Sequence, residues 1–285
     1  MLRSFALEND TGTKIDFVNN ENYDLLAVTG LNPVAAEIGT VVVAGFDGAS
    51  ETTSRVGMRN ITILLNIKRP IEQNRLTLYT AFGTNRKVRI IIKTDSNHVY
   101  IDGRVETFEN DTFTQLQQPL ISVLCPLPYF QSFDKVFNDF VERSDLIEFP
   151  FESGKDGRVL STIDLTDSII VNAGSVSTGF TLEFKATNEN VTYPKITNVT
   201  TGENIAYTAN LNKGNSVKIC TERGKKSAVL NVNNGAGYSN VIEYVNNFMQ
   251  LQPGYNELKV STGAAYGSTK HLQTKISFTK KYGGV

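Results

Sequence analysis

Apolar and polar residues alternate along much of this chain with a period of two, which is typical of half-buried β-strands. In the first half the clearest runs cover residues 61–67, 88–92 and 99–105. The turn-rich stretch Thr-Asp-Ser-Asn-His at residues 94–98 separates the last two runs, so residues 88–108 are predicted to form an antiparallel hairpin. Asp47-Gly48 predicts a second hairpin, in which Thr40–Gly45 returns through Arg55–Ile67.

One segment of the first half has helical spacing instead. A helix is predicted to begin at Pro70, where the missing N–H costs nothing, and to end at Gly83. Its apolar face comprises Ile71, Arg75, Leu78, Tyr79 and Phe82, with the stem of Arg75 lying along that face. A single helix inside an antiparallel sheet predicts a β-rich α+β domain, so the chain as a whole is expected to be mainly β.

Strand signals dominate the second half of the chain. Alternating runs occur at residues 180–186, 217–219, 228–232, 258–260 and 272–278. Turn sequences separate these runs at intervals of roughly ten residues, which favours a β-sandwich.

The patterning loosens between the two halves. Pro126 and Pro128 end a strand, and Phe133, Phe137 and Phe140 form a short apolar stripe beyond them. We therefore expect a β domain with one helix at residues 1–130, a linker or extension at 131–157, and a sandwich at 158–285. A return of the last strand, around residues 272–278, onto the first domain remains an alternative.

The composition is that of a folded and nearly neutral protein. Hydrophobic residues make up 40% of the chain and charged residues 20%, with a net charge of -1. This balance argues against disorder and against DNA as the main partner. The sequence contains no apolar run of transmembrane length and no signal-peptide pattern, so we expect no membrane insertion and synthesis in a reducing cytoplasm.

No constellation of residues for catalysis, or for a metal or cofactor, stands out in the sequence. The histidines, His98 and His271, have no partner at metal-ligand spacing and are predicted to be structural or solvent-exposed. The cysteines, Cys125 and Cys220, lie in separate strand-like runs and are predicted to be small buried hydrophobes. We therefore expect no enzymatic activity, no catalytic residues, no cofactor and no metal.

A few segments come close to known motifs without matching them. Residues 174–179 lack the spacing of a nucleophile elbow, and residues 224–227 lack the spacing of a phosphate-binding loop. Residues 235–238 lack the third glycine of a dinucleotide-binding fingerprint. A hairpin turn is the better interpretation of residues 224–227. The carboxylate pairs Glu148 with Glu152 and Asp164 with Asp167 are expected to be solvated or loop-capping.

A carbohydrate-binding adhesion module that contacts cell-wall polysaccharide is one function that the second half could serve. The second half contains Tyr193, Tyr207, Tyr238, Tyr244, Tyr255 and Tyr266, whose rings could stack on sugars. The chain contains no tryptophan, the residue with the largest stacking face. The sequence therefore names no definite sugar-binding residue.

Several short motifs follow one another in a particular order. In the first half they are Phe5-Ala-Leu-Glu-Asn-Asp-Thr-Gly12, Leu26-Ala-Val-Thr-Gly-Leu-Asn-Pro33, Gly45-Phe-Asp-Gly48, Ser54-Arg-Val-Gly-Met-Arg-Asn-Ile61, Asn74-Arg75, Lys93-Thr-Asp95 and Ser122-Val-Leu-Cys-Pro-Leu-Pro-Tyr-Phe130. In the second half they are Glu148-Phe-Pro-Phe151, Asn172-Ala-Gly174, Thr178-Gly179, Pro194-Lys-Ile-Thr-Asn198, Thr201-Gly-Glu203, Gly224-Lys-Lys-Ser227 and Tyr282-Gly-Gly-Val285. In order and spacing they resemble the distal tail proteins of siphophages that infect Gram-positive bacteria, over nearly the whole chain.

This resemblance implies a structural role at the distal end of the virion tail. The N-terminal domains of six copies would form a ring on the tail tube protein. The galectin-like C-terminal sandwiches would project outward and carry receptor-binding or other baseplate proteins. A tail-associated lysin or adhesin would dock below, and DNA would pass through the channel without specific contacts.

Ring formation also suggests a role for the first strand. An unpaired strand edge can be extended by a second copy, and a closed ring can satisfy such contacts. We therefore expect that deletion of residues 1–20 abolishes hexamers and leaves folded monomers.

Overall fold

The computed structural model describes residues 1–45, 47–112, 114, 116–140, 142–145, 161–164, 168–232, 237–263 and 271–285, of which 142–145 and 161–164 as backbone only. The chain divides into a first unit, Met1–Phe133 with Lys281–Val285, and a second unit, Asp134–Lys280. The predicted boundaries at residues 130 and 158 stay a prediction, because much of the predicted linker lies outside the described residues. Within that linker, residues 131–139 belong to a strand.

The first unit is an antiparallel sheet with one helix in its described residues. Its elements are β1 Leu2–Asn9, β2 Lys14–Asp16, β3 Tyr23–Thr29, β4 Ala36–Val41, β5 Ser50–Val56, β6 Arg59–Ile67, α1 Ile71–Phe82, β7 Lys87–Thr94, β8 His98–Glu109, β9 Leu120–Cys125 and the start of β10 Phe130–Asp139. The main sheet has the order β2-β1-β7-β8-β9-β6-β3, with β10 beginning beside β8. The predicted mainly β fold with one N-terminal helix is confirmed.

Alternating burial explains why these residues form strands. Ile61, Ile63, Leu65 and Ile67 of β6 all point into one hydrophobic core, while the residues between them are partly exposed. The hairpin predicted for residues 88–108 is confirmed as β7 and β8. His98 is the first residue of β8, opposite Lys93, and not part of the turn.

The second predicted hairpin is correct at its turn and wrong in its extent. Strand β4 pairs with β5, whereas β6 pairs with β3 and β9. The single strand predicted for residues 55–67 is therefore two strands, separated at Gly57 and Met58. Residues 36–58, which we call the arm, are exposed along both strands.

The predicted helix bounds are confirmed, but the inward face differs from the prediction. Helix α1 buries Asn74, Leu78, Ala81 and Phe82, whereas Tyr79 is exposed. Asn74 is buried because its amide donates to the Lys68 carbonyl at 3.0 Å, and its own carbonyl accepts a hydrogen bond from the Tyr23 hydroxyl at 3.0 Å. Sequence spacing favours apolar residues for such a face and does not identify a buried amide.

The expectation that β1 is an exposed edge is wrong. Strand β1 pairs with β7 over nearly its whole length and with β2 at residues 6–8. Phe5, Leu7 and Phe17 are fully buried in the core. Deletion of residues 1–20 would therefore remove part of the core and would not leave a folded monomer.

The second unit contains a two-sheet β-sandwich. Its elements are the end of β10, β11 Glu142–Asp145, β12 Ser161–Asp164, β13 Ser168–Asn172, β14 Phe180–Ala186, β15 Val191–Thr192, β16 Lys195–Asn198, β17 Asn204–Ala206, β18 Asn210–Leu211, β19 Ser216–Cys220, β20 Ser227–Val232, β21 Gly237–Asn240, a 3-10 turn Ile242–Tyr244, β22 Gly254–Ser261 and β23 Leu272–Tyr282. One sheet has the order β23-β14-β19-β20-β21, and the other has the order β13-β22-β16-β17. Their facing apolar residues share one core, which confirms the predicted sandwich.

Strand pairing describes two further segments, the phenylalanines after residue 130 and the last strand. Phe133 and Phe137 are exposed on β10 and Phe140 is buried, so the three do not form one apolar stripe. The reason is the strand period of two, which places residues 133 and 137 on the same side. Residues 272–278 pair with β14 in the second unit, whereas Lys281–Val285 pack in the first.

Candidate interaction surfaces

The histidines and cysteines considered for metal binding each have their own surroundings within their unit. The His98 ring stacks on Phe133 with centroids 4.4 Å apart, and the His271 Nε2 atom lies 3.7 Å from the Glu189 carboxylate. Cys125 and Cys220 are both free; Cys125 is buried as predicted, whereas Cys220 is only partly buried. Among the described residues there is no cluster of three His, Cys, Asp or Glu side chains suited to a metal ion.

The near-motifs are turns where they are described. Residues 224–227 follow β19 and lead into β20, where Cys220 pairs with Ser227, so the predicted hairpin turn is confirmed. Gly174 donates its N–H to the Asn172 side chain, which forms a tight turn. Of the carboxylates, Glu148, Glu152 and Asp167 lie outside the described residues, and Asp164 is described only as backbone.

The tyrosines of the second half are spread over the sandwich. Tyr238 on β21 is 71% exposed and Tyr255 on β22 is 74% exposed, but they belong to different sheets. Tyr207 is buried and meets Tyr244 edge-on, with centroids 6.2 Å apart. Tyr193 is half exposed, and Tyr266 lies outside the described residues. A sugar platform built from several of these rings stays a prediction without a site.

The best-defined polar site of the first unit is a buried arginine. The Arg59 side chain is 1% exposed and donates hydrogen bonds to the backbone carbonyls of Pro128 at 2.7 Å, Asn32 at 2.8 Å, Gly30 and Gly283. Its guanidinium lies 4.6 Å from the centre of the Phe130 ring. Burial lowers the pKa of this guanidinium, while the nearby Cys125 has a smaller effect that raises it. Four chain segments thus meet at Arg59.

These segments explain four of the motifs behind the resemblance. Arg59 belongs to the motif at residues 54–61, and its acceptors belong to the motifs at 26–33, 122–130 and 282–285. Gly30 has a φ of 81°, and a Cβ there would meet the Asn60 carbonyl at 2.0 Å, so only glycine fits. Sequence reasoning missed Arg59 because its partners are backbone atoms; the co-occurrence of these motifs was the available signal.

In the second unit, buried asparagines hold backbone segments together by hydrogen bonds, as Arg59 does in the first. The Asn256 amide donates to the carbonyls of Gln252 at 2.8 Å and Gly254 at 3.1 Å, and its oxygen accepts a hydrogen bond from Asn198 at 3.1 Å. The Asn198 oxygen in turn accepts the N–H groups of Thr200 at 3.0 Å and Thr201 at 3.3 Å. The motifs at residues 194–198 and 201–203 therefore hold the β16–β17 turn.

The outer surface of β7 and β8 is charged and aromatic. Arg89 forms a two-point pair with Asp102 at 2.7 and 3.1 Å, and its guanidinium lies 4.3 Å from the centre of the Tyr100 ring. The pair with Asp102 raises the pKa of Arg89. The Tyr100 ring packs against the Phe133 ring, with the ring centres 4.8 Å apart. A shallow groove of about 350 Å³ lies beside this row and includes Asp102 and Arg89 in its lining. Such a surface can bind a partner through both charge and aromatic contacts.

None of the helices in the described part of the chain is long and apolar enough to span a bilayer.

Known proteins share sequence features of the second half and the fold of the whole chain. Residues 173–282 match the family model of the siphovirus-type tail component, C-terminal domain. No curated protein matches the chain. The crystal structure of the SPP1 Dit protein, described as a paradigm of the hub adsorption apparatus in phages infecting Gram-positive bacteria, superposes with a TM-score of 0.64 at 14% identity, covering 98% of this chain and 99% of that one. A phage p2 baseplate chain, in the activated conformation with Sr, superposes with a TM-score of 0.51 at 10% identity, covering 99% of each chain. Residues 173–282 thus match the C-terminal domain of siphovirus-type tail components, and the chain as a whole has the fold of SPP1 Dit.

Proposed function

We propose that this protein is a structural distal tail protein that forms a six-membered ring at the tip of the tail tube and serves as the hub of the baseplate. The observation that carries the proposal is the agreement between a family-model match in the second half and a fold match to SPP1 Dit along nearly the whole chain. Residues 1–130 form the ring in this proposal, 131–157 link the two domains, and 158–285 project outward.

The buried polar sites support a structural role. Both side chains are buried, and their described hydrogen bonds go to backbone groups apart from the one that Asn256 accepts from the Asn198 side chain. Both give a rigid scaffold, which a hub needs in order to hold its neighbours at fixed spacing. We therefore propose a protein without enzymatic activity that acts through its surfaces.

The proposed partners follow from the same role. The ring contacts the tail tube protein above and a tail-associated lysin or adhesin below, and the sandwiches carry receptor-binding or other baseplate proteins. DNA crosses the channel without specific contacts, in keeping with the net charge of -1. The protein is made in the host cytoplasm and ends at the distal tip of the virion tail.

Mass measurement by light scattering combined with negative-stain imaging tests the proposal. We expect particles of six copies with six-fold symmetry and an open centre, and we expect the protein in purified virions. A particle of another closed symmetry, or absence of the protein from virions, would refute the proposed role.

A further inference from the structure

The outer face of the four-stranded sheet of the sandwich carries an exposed apolar patch. Val171 of β13 lies opposite Tyr255 of β22, and residues directly opposite each other in an antiparallel pair point to the same side. Val171 is 47% exposed and Tyr255 is 74% exposed. Ile169, two residues before Val171 and therefore on the same side of β13, is 64% exposed. Ile170 and Asn256, which point to the other side, are buried in the sandwich.

A carboxylate lies in the middle of this patch. Glu257 of β22 is directly opposite Ile169 and is exposed. On its other side, the N–H of Val199 donates to the Glu257 carbonyl at 2.8 Å, and Val199 is half exposed. The ion pairs of the described residues include none that involves Glu257. Lys259, two residues farther along β22, already has an interaction of its own. The face therefore presents an acidic group framed by apolar side chains.

This arrangement is typical of a protein-binding surface. Single exposed apolar residues are common on proteins, but several of them on one face mark a site of contact. Apolar side chains around a polar anchor are characteristic of a binding hot spot, because they exclude water when the partner is bound. Exclusion of water lowers the local dielectric constant, which strengthens the attraction between Glu257 and an opposite charge.

We propose that this face binds a different protein of the virion, and that the partner presents a lysine or an arginine among apolar side chains. The face consists of Ile169, Val171, Val199, Tyr255 and Glu257. This inference rests on the proposed function and assigns a surface and a chemistry to the partners that the sandwiches carry. The apolar side chains of the partner cover those of the face, and its cation pairs with Glu257.

The central position of Glu257 disfavours a second copy of this chain as the occupant. Two copies that meet through the same face form an isologous contact, in which residues near the centre of the patch come close to their own counterparts. Two Glu257 carboxylates would then meet in apolar surroundings, and like charges repel. A polysaccharide also fits less well, because Tyr255 supplies the single aromatic ring of the face and the other apolar side chains are aliphatic.

Charge reversal at Glu257 tests the docking in assembled virions. We expect Glu257→Lys virions to contain this protein in normal amount and to lose a second tail protein, whose ratio to the tail tube protein should fall about ten-fold or more by quantitative mass spectrometry. Glu243→Lys is the matched control, because Glu243 is also exposed but lies in the 3-10 turn, outside this face. We expect Glu243→Lys virions to have the wild-type composition. Unchanged composition in Glu257→Lys virions, or the same loss in Glu243→Lys virions, would overturn the docking and leave the proposed function standing. Absence of the protein from wild-type virions would overturn the proposed function itself.

Photo-cross-linking identifies the occupant, even if the charge-reversed variant does not assemble. Tyr255 is replaced by the photoreactive residue p-benzoylphenylalanine, which keeps an aromatic ring, and virions are irradiated both free and adsorbed to host cell walls. We expect a product with a different tail protein, joined at a segment that contains a lysine or an arginine beside apolar residues. We expect no such product from the same replacement at Tyr238, which is 71% exposed on the other sheet. The same product from Tyr238 would overturn the docking. So would no product at all, or a product with a second copy, with another segment of the same chain or with polysaccharide in place of a tail protein.

Discussion

Arg59 gives the sharpest test of how the first unit is held together. Its guanidinium donates to four backbone carbonyls from Gly30, Asn32, Pro128 and Gly283, and it lies against the Phe130 ring. Replacement by Met keeps an unbranched side chain of similar reach and removes the charge and the donors. Each of the four carbonyls then loses its bond to Arg59.

The expected cost follows from this count. A net loss of about 1 kcal/mol for each hydrogen bond, and about 1 kcal/mol for the ring contact, gives a gross cost of roughly 5 kcal/mol. Part of this cost is offset, because Met does not require a charged guanidinium to be buried away from water in the folded state. We therefore expect Arg59→Met to lower the free energy of unfolding by about 3–4 kcal/mol. For a unit of this size the melting temperature would fall by roughly 10–15 °C.

Scanning calorimetry, together with urea unfolding followed by circular dichroism, measures the effect. Arg104→Met is the control, because Arg104 is exposed and bonds only to Asn85 in the described contacts; we expect it to cost below about 1 kcal/mol. Arg59→Lys keeps the charge without the planar fork and should fall between the two. A loss below about 1 kcal/mol for Arg59→Met, or a loss confined to the second unit, would refute this account.

Three further predictions concern single residues. Asn256→Ala should cost about 2–4 kcal/mol of unfolding free energy in urea, because it removes a buried amide and leaves its partners unpaired; a cost below about 1 kcal/mol would contradict the assigned role. Burial raises the pKa of the Cys125 thiol from 9.0 to about 12, so the thiol contributes stability below pH 9 that is lost between pH 9 and about 12. Urea unfolding across that range should show a smaller decrease in Cys125→Ala than in the wild type, and equal decreases would contradict it. Tyr238→Ala and Tyr255→Ala should leave retention on host cell-wall polysaccharide unchanged in a pull-down, whereas loss of retention would favour the carbohydrate-binding alternative.

The elements of the main sheets could be predicted from the sequence because burial imposes a visible period. In β6 and β14 every second residue faces a core, so alternation of apolar residues gives both the strand and its inward face. The hairpin of β7 and β8 was predictable for the same reason, since a turn-rich stretch lies between two such runs. Local pattern is enough wherever one face of a strand is buried within the same chain.

Contacts between distant segments could not be predicted in this way. The buried state of Asn74 depends on Lys68 and Tyr23, and that of Arg59 on carbonyls that any residue type can supply. A side chain that bonds to backbone leaves no matching side chain in the sequence. The break between β5 and β6 was not predictable for a different reason. The alternation of apolar and polar residues continues through the break, while the strands with which β5 and β6 pair are different.

The arm shows where pattern and environment separate. Its alternation of Ile38 and Val56 with Glu37 and Arg55 predicts a buried face, but Ile38 and Val56 are exposed in the described part of the chain, and Ser54 and Glu51 lie on their side of the hairpin. A period of two predicts that one face of a strand pair is buried, but it does not identify the chain that buries this face. The motifs behind the resemblance fix the backbone at Arg59 and Asn256, so they identify the scaffold.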